Sequence, residues 1–265
     1  MDAHATLLEA IAEPDRGEID ARRVAMVTPH PDDETLGFGV LMRRLKGLRL
    51  VLATDGSPRD GITARQLGLS GVEAYRDARH RELLAAIALA GLAPGDLTRL
   101  EIPDKEGAYN VQRMVEALRR FFAEHAIETV LTNAYEGGHP DHDAVALAVA
   151  LATRGTAVEV IEAPLYRQRD GRFATQSFVP IDGIPVVETP LTPEEAAHKM
   201  AMLACFPTQA AIFVGYQPRV ERFRQAPAYD FTQPPNHGAI NYEADFFPWG
   251  AWAEAVRPAL DAAAR

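Results

Sequence analysis

The sequence predicts an α/β protein with a mostly parallel, Rossmann-like sheet flanked by helices and a mixed C-terminal extension. Two observations favour this class. Short, almost continuously apolar runs recur up to about residue 165, as expected of strands buried on both faces. Helical patterns fill the gaps between these runs, which is the alternation that βαβ units produce. We expect a single domain over residues 1–265, with a core at 20–165 and an extension at 166–265.

The predicted core contains five strands and four intervening helices. The strands are assigned to residues 23–28, 48–54, 98–103, 128–133 and 158–163. The helices are assigned to residues 35–46, 73–90, 111–126 and 142–153. Gly91 should end the second helix, because glycine adopts the left-handed conformation that closes helices. Asn110 should cap the third helix.

The pattern changes after residue 163. Two extended segments meet at Asp170-Gly171, a dipeptide typical of β-hairpin turns. Thr192, Pro193 and Glu195 have the spacing of an N-cap, a first-turn proline and a capping box. The segment 206–249 is rich in proline and aromatic residues, and we expect it to wrap the sheet, line a site or form a subunit contact.

The composition excludes several classes of function. The net charge of −10 argues against nucleic acid or an anionic membrane as a main partner. No apolar run approaches the roughly 20 residues of a membrane span, and the N-terminus lacks the features of a signal peptide. Cys205 is the single cysteine, so no internal disulfide forms, which fits a cytoplasmic protein. Its apolar surroundings favour a buried structural thiol over a nucleophile.

Two charged clusters follow predicted strands. The stretch "TPHPDDE" (28–34) ends the first strand, and "EGGHPDHD" (136–143) follows the fourth. In a sheet of order 3-2-1-4-5 these strands are neighbours at the switch point where ligands bind. The two clusters, about 110 residues apart, should therefore meet in one crevice.

The residue types in the two clusters favour a metal site. Imidazole and carboxylate are preferred zinc ligands, and a catalytic zinc typically takes three protein ligands and one water. A cation would also offset the repulsion among the carboxylates. Each cluster alone could instead be a helix-capping turn. The combined set is His30, Asp32, Asp33, Glu34, His139, Asp141, His142 and Asp143.

The pair of motifs resembles the PIG-L/LmbE-like family of zinc-dependent N-deacetylases. The resemblance covers residues 20–165, including "TDG" (54–56) and an R-x-x-E-L-x-A pattern (79–85). It implies that one zinc per chain is held by His30, Asp33 and His142. It also implies that Asp32 is the general base and that His139 stabilises the oxyanion or acts as general acid, with Asp141 orienting it.

The resemblance implies hydrolysis of a linear amide, with removal of an N-acetyl or other N-acyl group. The substrate class would be amino sugars and their small-molecule conjugates, such as N-acetylglucosamine derivatives. We expect Arg79, Asp55 and Asp104 to contact the substrate. The plainer alternatives are an exposed ion pair between Arg79 and Glu82 and a turn role for Asp55. The loop 56–72 is long enough to be a substrate lid, and a homo-oligomer is left open.

Two other functions are compatible with the sequence. One is metal-dependent phosphoester hydrolysis, although two histidines favour zinc over Mg²⁺. The other is a non-catalytic sugar-binding protein of the same fold, against which the presence of Asp32 and His139 argues. The remaining histidines lack the spacing of ligands and are assigned to the surface or to packing; they are His4, His80, His125, His198 and His237.

Overall fold

The computed structural model describes residues 6–13, 17–243 and 247–265, and His4 lies outside these ranges. The described strands are β1 Ile19–Asp20, β2 Val24–Thr28, β3 Leu45–Lys46, β4 Arg49–Thr54, β5 Leu97–Ile102, β6 Thr129–Asn133, β7 Glu159–Ala163, β8 Tyr166–Arg169, β9 Arg172–Thr175, β10 Val187–Pro190 and β11 Val220–Gln225. The described helices are α1 Leu7–Ala12, α2 Asp33–Met42, α3 Ile62–Gln66, α4 Val72–Leu89, α5 Val111–Glu124, α6 Pro140–Thr153, α7 Pro193–Leu203 and α8 Trp249–Ala263.

The central sheet has seven strands in the order β10-β11-β7-β6-β2-β4-β5. The five strands from β7 to β5 are parallel to one another, and they are the five predicted strands. The predicted order 3-2-1-4-5 is therefore confirmed. Two antiparallel strands, β11 and β10, extend the sheet beyond β7 and were not predicted.

Helices cover both faces of the sheet. Val24 and Met26 of β2 point into a core formed with α1, α2, α4 and α7. Ala25 and Val27 point into a second core formed with α5, α6 and α8. Because both faces are buried, the central strands are apolar at successive positions rather than at alternate ones.

Two local predictions in the extension are confirmed. Strands β8 and β9 pair as a hairpin around Asp170-Gly171, and both turn residues have positive φ (52° and 71°), as a tight hairpin turn requires. Helix α7 begins at Pro193, with Thr192 and Glu195 forming the capping box.

Two of the differences from the predicted helix termini have a clear structural cause. Asn110 occupies the N-cap position of α5, but its side chain donates to the carbonyl oxygen of Glu106 and does not cap the helix. Helix α2 begins inside the first motif, at Asp33, and ends at Met42 rather than at residue 46. It ends early because Leu45–Lys46 leave the helix and pair with β1.

Two smaller observations complete the description of the fold. Cys205 is half-buried, and burial raises the pKa of its thiol, which is opposite to the change a nucleophilic cysteine needs. In the part of the chain that the structure describes, none of the helices combines the length and apolar character that a membrane span requires.

Candidate metal and catalytic site

The two motifs meet at the carboxyl edge of the sheet. The first motif connects β2 to α2, and the second connects β6 to α6. Since β2 and β6 are adjacent and parallel, the residues that follow them lie at the same edge. His30 and His142, which are 112 positions apart, come within 3.2 Å of each other through Nδ1 and Nε2.

The three predicted ligands place one atom each around a common point. His30 Nδ1 lies 3.2 Å from Asp33 Oδ2, and His142 Nε2 lies 3.1 Å from the same oxygen. With bonds of about 2.0–2.1 Å, a tetrahedral zinc site would separate its ligand atoms by about 3.3 Å. One proton satisfies only one pair of these atoms, whereas a cation satisfies all three. The donor set therefore fits a metal ion.

The second nitrogen of His30 is held by carboxylates. His30 Nε2 lies 3.1 Å from Asp104 Oδ1 and 3.2 Å from Asp141 Oδ2. A proton on Nε2 leaves the lone pair of Nδ1 free to face the other two ligand atoms. Metal-binding histidines are commonly fixed in this way by an outer carboxylate.

The ionisation of Asp33 also suits a ligand. Burial by itself would raise the pKa of Asp33, but His142 and His30 hold it well below its usual range. Other groups of side chains at this edge also bring ligand atoms within 4.8 Å of one another, namely His30 with His139 and His142, and His30 with Asp104, His139 and Asp141. We favour His30, Asp33 and His142 because their facing atoms lie 3.1–3.2 Å apart, whereas His139 Nε2 lies 3.8 Å from Asp104 Oδ1.

Asp32 lies beside the ligands in a strained conformation. Its φ of 127° is unusual for a residue with a side chain. Its N–H donates to Glu34 Oε2, and its Oδ2 lies 3.3 Å from the guanidinium of Arg79. Burial raises the pKa of Asp32 well above its usual range, and the charges of Asp33 and Glu34 add to this effect while Arg79 opposes it. A carboxylate with a raised pKa is suited to accept a proton near neutral pH.

Arg79, which was predicted to contact the substrate, binds the backbone of the first motif. The side chain is buried, and its guanidinium donates to the carbonyl oxygens of Pro31 and Gly56 and to the hydroxyl of Tyr75. It does not form the exposed ion pair with Glu82 that was the alternative. Glu82 is itself buried and accepts hydrogen bonds from Thr208.

The other two predicted substrate contacts lie in different surroundings. Asp55 accepts hydrogen bonds from the N–H and hydroxyl of Ser57, both at 2.8 Å, so its carboxylate shapes a turn. Asp104 is at the site itself, with Oδ1 between His30 and His139 at 3.1 and 3.8 Å. The carboxylate of Asp104 therefore lies beside two histidines of the site.

His139 and Asp141 interact through the backbone. The N–H of Asp141 donates to His139 Nδ1 at 3.2 Å, which leaves Nε2 to carry the proton. The carboxylate of Asp141, expected to orient His139, instead accepts from the N–H groups of Lys105 and Gly107 and faces His30. Burial lowers the pKa of His139 well below its usual range, so the ring is a neutral hydrogen-bond donor.

Side chains from the extension complete the site. The ring of Tyr166 lies 4.9 Å from that of His142. The carbonyl of Tyr166 packs so closely on Gly138 that a Cβ there would overlap it. Tyr242 donates to Asp143 Oδ2 at 2.7 Å. Neither tyrosine was predicted to lie at the site, because no sequence pattern indicates how the extension packs against the two motifs.

The loop 56–72 lies next to residues 104–106, which follow strand β5. Arg59 pairs with Glu106 at 2.5 Å, and Lys105 lies 3.8 Å from Asp60. The short helix α3 lies within this loop. The position beside Asp104 is compatible with the lid that the sequence predicts.

Comparisons with known proteins agree with the geometry. Residues 25–153 match the model of the PIG-L family, described as GlcNAc-PI de-N-acetylase. No curated protein matches the chain. The structure is similar to that of Dbv21, an A40926 pseudoaglycone deacetylase (TM-score 0.61, 20% identity, covering 80% of this chain and 99% of that one). It is also similar to the N,N'-diacetylchitobiose deacetylase of Pyrococcus horikoshii (TM-score 0.53, 16% identity, covering 86% and 95%).

A third similar structure is a deacetylase of teicoplanin biosynthesis (TM-score 0.61, 16% identity, covering 78% of this chain and 100% of that one). At these low sequence identities, the structural similarity establishes a shared fold and no more. The family match includes both motifs, and the sheet has the predicted order 3-2-1-4-5. The resemblance seen in the sequence is thus confirmed: residues 25–153 match the PIG-L family model, and the chain shares its fold with the deacetylases named above.

Proposed function

We propose that this protein is a metal-dependent hydrolase that removes an N-acyl group, most simply acetyl, from an amino sugar or sugar conjugate. The observation that carries the proposal is the trio His30, Asp33 and His142, whose facing atoms are 3.1–3.2 Å apart, with Asp32 adjacent in the chain. The family match and the deacetylases of the same fold support the reaction class. We propose zinc as the metal, because two of the three ligands are imidazoles.

A zinc ion held by this trio would supply a Lewis acid, which polarises the acyl carbonyl and lowers the pKa of bound water. Asp32 then serves as general base and takes a proton from the attacking water. Its raised pKa makes it a stronger base than an ordinary aspartate, and its contact with Arg79 fixes its position.

His139 has the properties of an oxyanion donor. Its Nδ1 accepts a hydrogen bond from the N–H of Asp141, so the proton is on Nε2, which lies 3.8 Å from Asp104 Oδ1. A neutral imidazole N–H can donate to the developing oxyanion in the transition state. After attack, the proton held by Asp32 must reach the leaving nitrogen, either directly or through His139.

The test is acyl release from a panel of N-acetylated amino sugars by metal-loaded protein. We expect acetate release that a chelator abolishes and that added Zn²⁺ restores. Asp32→Asn should retain metal but lose most of the turnover. Zinc-loaded protein that releases no acyl group from any amino sugar, but cleaves a phosphoester, would refute the proposal.

A further inference from the structure

An aromatic surface runs from the site to solvent along the β8–β9 hairpin. The rings of Tyr166 and Phe173 are stacked, with centroids 4.9 Å apart and an interplanar angle of 28°. Tyr166 in turn lies 4.9 Å from His142. Phe173 is 54% exposed although it is a large apolar side chain. We call the rings of Tyr166 and Phe173 the aromatic wall.

The strand register explains why these two rings share a face. Tyr166 pairs with Thr175 and Gln168 pairs with Phe173, so Tyr166 and Phe173 are diagonal neighbours on one side of the hairpin. Side chains two positions apart in a strand point the same way. The face that carries Tyr166 is the one that packs on His142, and Phe173 therefore continues the same surface outward.

The hairpin is fixed to the second motif. Gln168 Nε2 donates to Asn241 Oδ1 at 2.9 Å, and Asn241 Nδ2 donates to the carbonyl oxygen of Gly138 at 3.2 Å. On the opposite face Arg167 donates to the carbonyl oxygens of Ser177 and Phe178. The wall is therefore held at a fixed distance from the ligands.

Tyr166 offers a polar group at the inner end of the wall. Among the described residues its hydroxyl has no hydrogen-bond partner, although the ring is largely covered. The aromatic wall extends from His142, a proposed metal ligand, to solvent, and the hairpin holds it in place. Such a surface is typical of a site that binds part of a ligand. A single exposed phenylalanine elsewhere on the surface would need no such explanation.

We propose that the aromatic wall is a specificity element that binds an apolar substituent of the substrate, next to the acyl group being removed. The proposal rests on the proposed function, because it assigns a substrate feature to the same site. Two parts of the substrate could supply this chemistry: an aryl or alkyl aglycone on the sugar, or a longer acyl chain on its nitrogen. Burying the exposed part of Phe173 against either one is expected to raise kcat/KM about tenfold.

The test compares three substrates: N-acetylglucosamine, its phenyl glycoside, and N-octanoylglucosamine. The wild-type protein should prefer at least one of the two apolar compounds by about tenfold in kcat/KM. The variant F173S should reduce this preference to within twofold while its rate on N-acetylglucosamine stays unchanged. The control variant F173Y keeps an aromatic ring and should keep the preference.

A wild-type protein with no preference, or a preference that survives in F173S, would overturn the proposal. Calorimetric binding of phenyl glucosaminide separates this outcome from failure of the proposed function. If no substrate is hydrolysed but phenyl glucosaminide binds the wild-type protein about tenfold more tightly than F173S, the binding role of the aromatic wall is supported and the proposed reaction is refuted. If acetate is released, neither apolar compound is preferred and phenyl glucosaminide binds both proteins equally, the proposed reaction is supported and the proposed role of the aromatic wall is refuted.

Discussion

Replacing Arg79 with methionine should disable the site without touching a predicted metal ligand. The guanidinium holds the carbonyl oxygens of Pro31 and Gly56 and the carboxylate of Asp32, all from inside the protein. Breaking a buried charge pair by removing one partner costs about 3–5 kcal/mol. Asp32 also keeps an unusual φ of 127°, which persists only while its neighbours enforce it. We therefore expect a loss of about 3 kcal/mol in the free energy of unfolding.

The same change has a kinetic signature with a definite sign. Arg79 lowers the pKa of Asp32, so without it that pKa rises further. Because a general base acts only when deprotonated, the acidic limb of the pH–rate profile should move to higher pH in the Arg79→Met variant. Misplacing the base should also lower kcat about 100-fold. The assays are urea unfolding of the metal-loaded protein and kcat and KM measured across pH.

A substrate-contacting arginine would give a different result. In that case KM would rise, the free energy of unfolding would change little, and the acidic limb would stay in place. Such an outcome would refute the positioning role that the structure assigns to Arg79. Arg81→Met is the matched control, because Arg81 is exposed on the same helix and should change stability by about 0.5 kcal/mol or less.

Three further changes probe other parts of the site and its support. Asp32→Asn should retain the metal and lower kcat by a factor of about 10²–10⁴, and near-wild-type turnover would exclude it as the base. Gly138→Ala places a Cβ in contact with the carbonyl oxygen of Tyr166 and should lower both activity and thermal stability. Gly95→Ala is the control, because a Cβ there has no atom within 4 Å and should change neither property. Lys199→Met leaves the carboxylate of Glu221 buried without its 2.6 Å partner and should cost about 3–5 kcal/mol in urea unfolding; a loss below 1 kcal/mol would contradict that reading.

The parallel part of the fold could be predicted because its signals are local. Each inner strand is an apolar run followed by a helical pattern, which indicates βαβ units, and the order 3-2-1-4-5 is one of the common arrangements of such units. The meeting of His30 and His142 could be predicted from that order, because each residue follows a strand whose position in the sheet was predicted correctly.

The antiparallel part could not be predicted because its buried residues are charged. Glu221 and Arg224 lie on the unpredicted strand β11, where they are almost fully buried against Lys199 and Glu162. In the sequence such residues indicate a solvent-exposed segment, since their partners are distant in the chain. The burial of Arg79 could not be predicted for the same reason, because its partners, Asp32 and the carbonyl oxygens of Pro31 and Gly56, are distant in the chain.

The most direct test of the proposed metal site is the metal stoichiometry of the purified protein and of its His142→Ala variant after reconstitution with Zn²⁺. We expect one ion per chain in the wild type and almost none in the variant, with both proteins folded. His80→Ala is a control, because His80 lies outside the trio and should leave the stoichiometry unchanged. A wild-type protein that binds no metal, or a variant that binds as much as the wild type, would contradict the assignment of His30, Asp33 and His142 as the metal site.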